Sequence, residues 1–334
     1  MHSPLSSSRR RVIAATALCA VLSPVASIAA STSRALVDVR IAGIAVNNPY
    51  LPPSTEQKTN GPLGYAIHLG TFQAELEKAG FRFAAFQGFP RTAAALLALN
   101  AKESEVAMTG DSPAVLSRAR GDRQRVVYVG RPDADAWVIG RKDGPATLEQ
   151  LRGHKVGALF GSIFDYYARN VFETLGIQKN VSYAQLQVSA ALPALQRGDL
   201  DAYVTAPATA ALWQSRYGLP VIAKASTSYP QWQTTSVATT RQDFLDANPG
   251  FPQAFWSGLK TGIDAIERDP KAYLAWEAQA TGLPLDVVQA TVRTDFSDTA
   301  IAPEGLTAIQ RLLDFQLRSG AAKAPFVVQD WVAK

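Results

Sequence analysis

The chain has 334 residues, 47% hydrophobic and 18% charged, which is enough for about two domains with self-sufficient cores and excludes a disordered chain. Of its net charge of +5, three units come from Arg9, Arg10 and Arg11. No later run of Lys and Arg is interleaved with aromatics, so nucleic acid is excluded as a partner. Cys19 is the single cysteine, and it lies with His2 in the first 30 residues. With only His68 and His154 beyond them, a disulfide framework, thiolate chemistry and a His-rich metal site are excluded, and no phosphate-cradling glycine motif calls for a nucleotide cofactor. The expectation is neither metal nor cofactor.

Residues 1–30 run from Ser8-Arg9-Arg10-Arg11 through the apolar stretch Val12 to Leu22 to the small residues around Ala29-Ala30. That order is a secretory signal cleaved near residue 30, by either the general or the twin-arginine route, and it predicts a soluble periplasmic protein.

From Leu36 onward, short β-rich runs alternate with helical patterns, as in parallel βα units. Val37 to Val46 reads as a strand, Gly64 to Ala79 as a helix and Phe81 to Phe86 as a strand. Thr92 to Leu99 is a helix, Val106 to Thr109 a strand, Pro113 to Ala119 a helix and Val126 to Val129 a strand. A second series follows: strand Ala136 to Ile139, strand Lys155 to Phe160, helix Ile163 to Leu175 and strand Tyr183 to Gln187. Helix Ala190 to Gln196, strand Ala202 to Thr205, a helix from Ala208 and strand Val221 to Ala223 complete it. Beyond Trp232 the pattern turns mostly helical from Arg241, and this tail is expected on the first lobe, whose sheet needs a second covered face. The chain then forms two α/β lobes, 35–133 with 233–334 and 134–232. They are joined by two crossings near 131–137 and 228–237, with a cleft that closes on a ligand.

Three strand-to-helix turns present small or hydroxylated residues where they would meet such a cleft. Gly110-Asp111-Ser112 is followed by Pro113, Gly161-Ser162 opens the next candidate helix, and Arg91-Thr92 follows Phe89-Pro90. A helix start leaves up to four N–H donors unpaired at the positive end of its dipole, so two facing starts would clamp an anion. Taken singly, each is also an ordinary cap. Asn47, Asn48 and Tyr50 open a long polar loop that either lines the cleft or is disordered, and Trp232 either meets an apolar ligand tail or packs the hinge. Gly110-Asp111-Ser112-Pro113-Ala114 resembles a nucleophile elbow, but Pro113 lacks the N–H an oxyanion hole needs, so no catalytic residue is assigned.

Phe89-Pro90-Arg91-Thr92 with Ala95 to Asn100, then Thr109 to Ala114, Leu148 to Val156, Gly161-Ser162 and Leu192 to Tyr203 form an ordered set. It resembles the aliphatic sulfonate, taurine and nitrate group of solute-binding proteins that feed ABC transporters, over roughly Val37 to Lys271. The resemblance implies a type II periplasmic-binding-protein fold, no chemistry on the ligand, and delivery as a monomer to a membrane permease and its ATPase. It puts the ligand-facing turns at Arg91 and Thr92, Gly110 to Ser112, and Gly161 and Ser162. Where members often carry an acid before a proline, this chain has Thr205-Ala206-Pro207, which removes a partner for an ammonium group and points to an alkyl or aryl sulfonate, with nitrate or another oxyanion behind it. Two rivals share the fold: an enzyme resembling the thiamine-precursor synthases, which depend on His and Cys chemistry, and a ligand sensor that docks on a membrane receptor kinase.

Overall fold

The computed structural model describes residues 35–44, 59–89 and 91–334. In the first series, β1 (Val37–Ile44), α1 (Gly61–His68), α2 (Thr71–Lys78), β2 (Phe81–Phe89), α3 (Thr92–Asn100), β3 (Val106–Gly110), α4 (Asp111–Ala119) and β4 (Gln124–Val129) follow one another. The second comprises β5 (Trp137–Gly140), β6 (Lys155–Ala158), α5 (Ile163–Thr174), β7 (Ser182–Gln185), α6 (Val188–Arg197), β8 (Ala202–Thr205), α7 (Pro207–Tyr217), β9 (Val221–Lys224) and α8 (Ala225–Ser228). After β10 (Ser236–Arg241) come α9 (Gln242–Ala247), α10 (Phe251–Arg268), α11 (Pro270–Thr281), α12 (Leu285–Thr291), α13 (Pro303–Arg318) and α14 (Val328–Trp331).

Two five-stranded sheets result, ordered β2-β1-β3-β10-β4 and β7-β6-β8-β5-β9. The orders are equivalent. In each, a parallel core is interrupted at the fourth place by one antiparallel strand, β10 or β5, and that strand is the first after the chain crosses from the other sheet. The crossings themselves pair, through an antiparallel bridge between Ala134 and Thr234. Each lobe is therefore a mixed sheet rather than the run of parallel units that local patterning suggests.

Strand β10 corrects the expectation that strand character ends at Trp232. Its sequence, Ser-Val-Ala-Thr-Thr-Arg, is short and polar at four of six positions, but Thr239 and Thr240 are fully buried, and the Thr240 hydroxyl donates to the Glu105 carbonyl at 2.7 Å. The expected single helix Gly64 to Ala79 is two, divided at Gly70 (φ +73°), a left-handed position glycine adopts without strain.

Packing follows the helical stripes. Phe251, Phe255, Leu259 and Ile263 recur every fourth residue of α10 and are buried in one core with Phe72, Leu76 and β-strand residues Val39 and Ile41. Gly258 and Gly262 on that helix let α2 and α1 approach; a Cβ at Gly262 would sit 2.2 Å from the Pro62 carbonyl oxygen. Ile309, Leu312 and Leu313 of α13 cover the other face with Ala114, Val115 and Val126. The tail is not confined to the first sheet, however, since α12 packs against α7 of the second series.

Candidate functional site

In both sheets the connections diverge on either side of the first parallel strand, β1 or β6, and the crevice at such a switch point is where ligands bind open α/β sheets. The turns leaving the carboxyl ends of β3, β6 and β8 hold Gly110 to Ser112, Gly161 and Ser162, and Thr205.

At the β3–α4 turn there is no loop: Gly110 ends the strand and caps the helix, so Asp111 and Ser112 lie in the first turn instead of capping it. The Asp111 N–H donates to the Thr235 carbonyl at 3.0 Å, and its Oδ2 accepts the Thr235 N–H at 2.9 Å. The carboxylate thus continues the β3–β10 ladder by one pair beyond Gly110–Ser236 and fastens the returning crossing to α4. Asp111 is fully buried, and its Oδ1 has no partner. Burial drives its pKa up from 3.8 to about 7 against the opposing pull of the amide donors around it. Ser112 is buried too, and its Oγ accepts from Gln316 Nε2 of α13 at 3.0 Å.

The β6–α5 turn is capped more fully. Ser162 Oγ accepts from Phe164 N at 3.2 Å and Asp165 N at 3.4 Å, while Asp165 Oδ2 reaches back to Gly161 N at 3.0 Å, a reciprocal cap of the Ser-x-x-acid type. Asp165 is held in turn by Arg169 Nε at 2.7 Å and by the Tyr183 hydroxyl at 2.9 Å. Of the amides counted on to clamp an anion, then, Asp111 N–H at one start and Gly161, Phe164 and Asp165 N–H at the other already have internal acceptors. Gly110 and Gly161 are nonetheless open: a Cβ on either would meet no atom within 4 Å.

Tyr166 brings the two turns to one junction. It lies one helical turn after Ser162, and its ring packs edge-on against Trp232 (6.2 Å) and against Phe315 of α13 (5.1 Å), within the cluster that holds Ala114 and Val115 of α4. Burial and the nearby Asp111 carboxylate push its phenol pKa up, so Asp111 and Tyr166 are electrostatic neighbours across the lobes. Trp232 packs against the cores on both sides.

Several buried polar atoms of both series and of the crossing lack partners, among them Thr109 Oγ1 on β3, Thr205 Oγ1 at the end of β8, Tyr167 OH on α5, and Trp232 Nε1, Gln233 Nε2 and Thr234 Oγ1 in succession on the crossing. Buried polar groups are nearly always satisfied, and each orphan costs about 1–3 kcal/mol, so these side chains are candidates for contact with a polar ligand. All six are able to donate. Tyr167, Gln233 and Thr234 carry no mark in the sequence; the signal, a missing partner, exists only in three dimensions. Of the other candidates, Arg91 is exposed at the N-cap of α3 with Thr92 half-buried beside it, and Asn47, Asn48 and Tyr50 lie outside the described residues.

Neither described histidine serves Ser112 as a base: His154 Nδ1 lies 3.2 Å from Asp201, and His68 stacks on Trp276 at 5.5 Å. Among the described residues no group of three or more His, Cys, Asp or Glu is placed to hold a metal ion, and no helix is long and apolar enough to cross a membrane.

No protein-family model matches the chain, and no curated protein matches it in sequence. Solved structures do match. The periplasmic aliphatic sulphonate binding protein SsuA from Escherichia coli is 18% identical with a TM-score of 0.73, over 89% of this chain and 97% of that one. The alkanesulfonate-binding protein SsuA from Xanthomonas axonopodis pv. citri, bound to MOPS, is 18% identical with a TM-score of 0.70, over 89% and 98%. The desulfurization enzyme DszB is 15% identical with a TM-score of 0.65, over 89% and 96%. Together with the two equivalent sheets and the paired crossings, these likenesses establish the architecture: the chain is a two-lobed α/β protein with the fold of periplasmic binding proteins.

Proposed function

We propose that the chain is the exported, periplasmic receptor of an ABC importer, binding a small organic oxyanion of the alkyl or aryl sulfonate class between lobes 35–133 with 233–334 and 134–232. The observation that carries this reading is the set of unpartnered buried donors contributed by both lobes and the crossing, from Thr109 to Thr234. A sulfonate offers three acceptor oxygens and no donor, the complement of hydroxyl, indole and amide donors. The donors come from both sides of the hinge, so only the closed arrangement satisfies them together, and the ligand stabilises that state by its difference in affinity. Trp232 and Tyr166 supply apolar surface for the organic tail. The permease and ATPase as partners, export through residues 1–30 and a monomeric state are part of the same proposal, supported by the sulfonate-binding likeness and the leader-like sequence. Nitrate is the alternative of the same class.

Thr205→Val tests the reading. The valine fills the same volume and removes a buried hydroxyl that has no partner, so urea unfolding should give equal or slightly higher stability, while calorimetric titration with propane-1-sulfonate should show affinity reduced by about tenfold, the value of one hydrogen bond to a charged group. Unchanged affinity would remove Thr205 from the site.

A second reading, an enzyme, is supported by the DszB likeness. DszB has been crystallised as a cysteine-to-serine variant with biphenyl-2-sulfinic acid, and the only cysteine of this chain, Cys19, lies in the leader. Release of sulfite from an aryl sulfinate by the mature chain would decide for it.

A further inference from the structure

The end of the first sheet remote from the lobe junction carries a separate feature. Strand β4 begins there with Gln124 and Arg125, α4 ends there just after Arg118, and the antiparallel β10 ends there just before Gln242. The C-terminal stretch is fastened alongside, with Ala333 N–H donating to the Val126 carbonyl at 2.8 Å. Between these elements lies a cavity of about 640 Å³, lined among others by Arg118, Arg125, Gln242, Asp246, Asp330 and Lys334.

Arg118 and Arg125 are both half-buried, and neither joins an ion pair among the described residues. Their bonds go to neutral oxygens: Arg118 Nη1 to the Asp122 carbonyl at 3.1 Å, Arg125 Nε to the Gln242 side chain, and Arg125 Nη1 to the Asp330 carbonyl. Other arginines of comparable burial are matched with acids, Arg40 with Glu105 and Arg141 with Asp201, each at 2.8 Å. The two acids on the cavity wall are exposed, and Asp246 is occupied by the Gln242 amide at 2.8 Å. Burial and the repulsion of Arg125 depress the pKa of Arg118, as expected of two cations lining one space without an acid paired to either. Like charges held together in this way are unfavourable until an anion joins them, and guanidinium forks suit a tetrahedral oxyanion.

The geometry points to a second anion site in this cavity, distinct from the lobe junction, which takes a small tetrahedral oxyanion of the phosphate or sulfate class between Arg118 and Arg125. Gln242 orients the Arg125 fork, and Asp246 limits affinity by its own negative charge.

The probe is inorganic phosphate at pH 7.5, titrated against the mature chain at constant ionic strength set with chloride, and followed by thermal unfolding and by phosphorus-31 line broadening. A saturable response specific to phosphate is expected. In Arg118→Gln/Arg125→Gln the apparent affinity should fall by about tenfold or more, and in Asp246→Asn it should rise about two- to threefold, a gain that damage to the fold does not produce. Thr205→Val should leave the phosphate response intact. Phosphate behaving like chloride, a response that survives loss of both arginines, or one abolished by Thr205→Val would each overturn the assignment.

Discussion

Asp111→Asn separates the charge of this buried carboxyl from its shape. In the wild type, Oδ2 accepts the Thr235 N–H and Oδ1 has no partner, with the residue fully removed from solvent. Its pKa rises from 3.8 to about 7, so between those values the native state holds a proton that the unfolded chain has released. Stability from this group is therefore fully present below about pH 4 and is lost as the pH rises to 7. The full loss is about 4 kcal/mol, because the two pKa values lie about three pH units apart and a tenfold change in proton affinity is worth about 1.4 kcal/mol. Between pH 4.5 and 8 the part accessible to experiment is about 3 kcal/mol. Asparagine keeps the acceptor for Thr235 and replaces the unpaired O–H of the protonated carboxyl by an unpaired NH₂, so its own cost against the protonated wild type is small and independent of pH. The variant should thus be close to the wild type in stability at pH 4.5 and exceed it by about 3 kcal/mol at pH 8. Burial also raises Asp133, to about 6, and Glu277, which give slopes of the same sign, but both are present in the two proteins and cancel in the difference. Urea unfolding of both proteins at four pH values measures it. A difference between them that changes by less than about 1 kcal/mol over the range would show that the Asp111 carboxyl is hydrated or paired, and the account of the crossing anchor would be wrong.

Other consequences can be checked directly. An anion at the junction is opposed by ionised Asp111 and not by its protonated form, so sulfonate affinity should fall as the pH passes from 6 to 8 in the wild type and stay flat in Asp111→Asn, as read by calorimetry. Gly305→Ala would place its Cβ 2.2 Å from the Gly130 carbonyl oxygen and 2.5 Å from Val129 Cγ1, and should destabilise by about 2–3 kcal/mol in urea unfolding, whereas Gly110→Ala, with open space before it, should stay within about 0.5 kcal/mol yet weaken ligand binding. Tyr166→Ala removes the ring packed between Trp232 and Phe315 and should cost about 3 kcal/mol while raising the radius of gyration by small-angle scattering; an unchanged radius would deny Tyr166 a part in holding the lobes together.

How much of this was legible in the sequence depends on how local each cause is. The Ser162 cap, the Thr92 helix start and strands such as Ala202–Thr205 are decided by neighbouring residues, and the pattern displays them. Strand β10 is decided by partners more than a hundred residues away: Val237 opposite Thr109, Thr239 opposite Ala107. Nothing in six short residues announces a central strand. The junction is visible in the sequence only as turn chemistry. Gly110-Asp111-Ser112 reads as a helix start with donors to spare, and the fold takes up the Asp111 N–H, because Thr235 arrives from the far crossing to pair with it. Thr109, Gln233 and Thr234 stand out through the lack of a partner, which no spacing rule encodes.

The central claim is met most directly by a crystal structure of the mature chain grown with propane-1-sulfonate. The account predicts the sulfonate between the lobes, with its oxygens within hydrogen-bond distance of Thr205 Oγ1 and of at least one donor from the first lobe or the crossing. A sulfonate bound elsewhere, or a junction in which those donors pair only with one another and with water at saturating ligand, would contradict it.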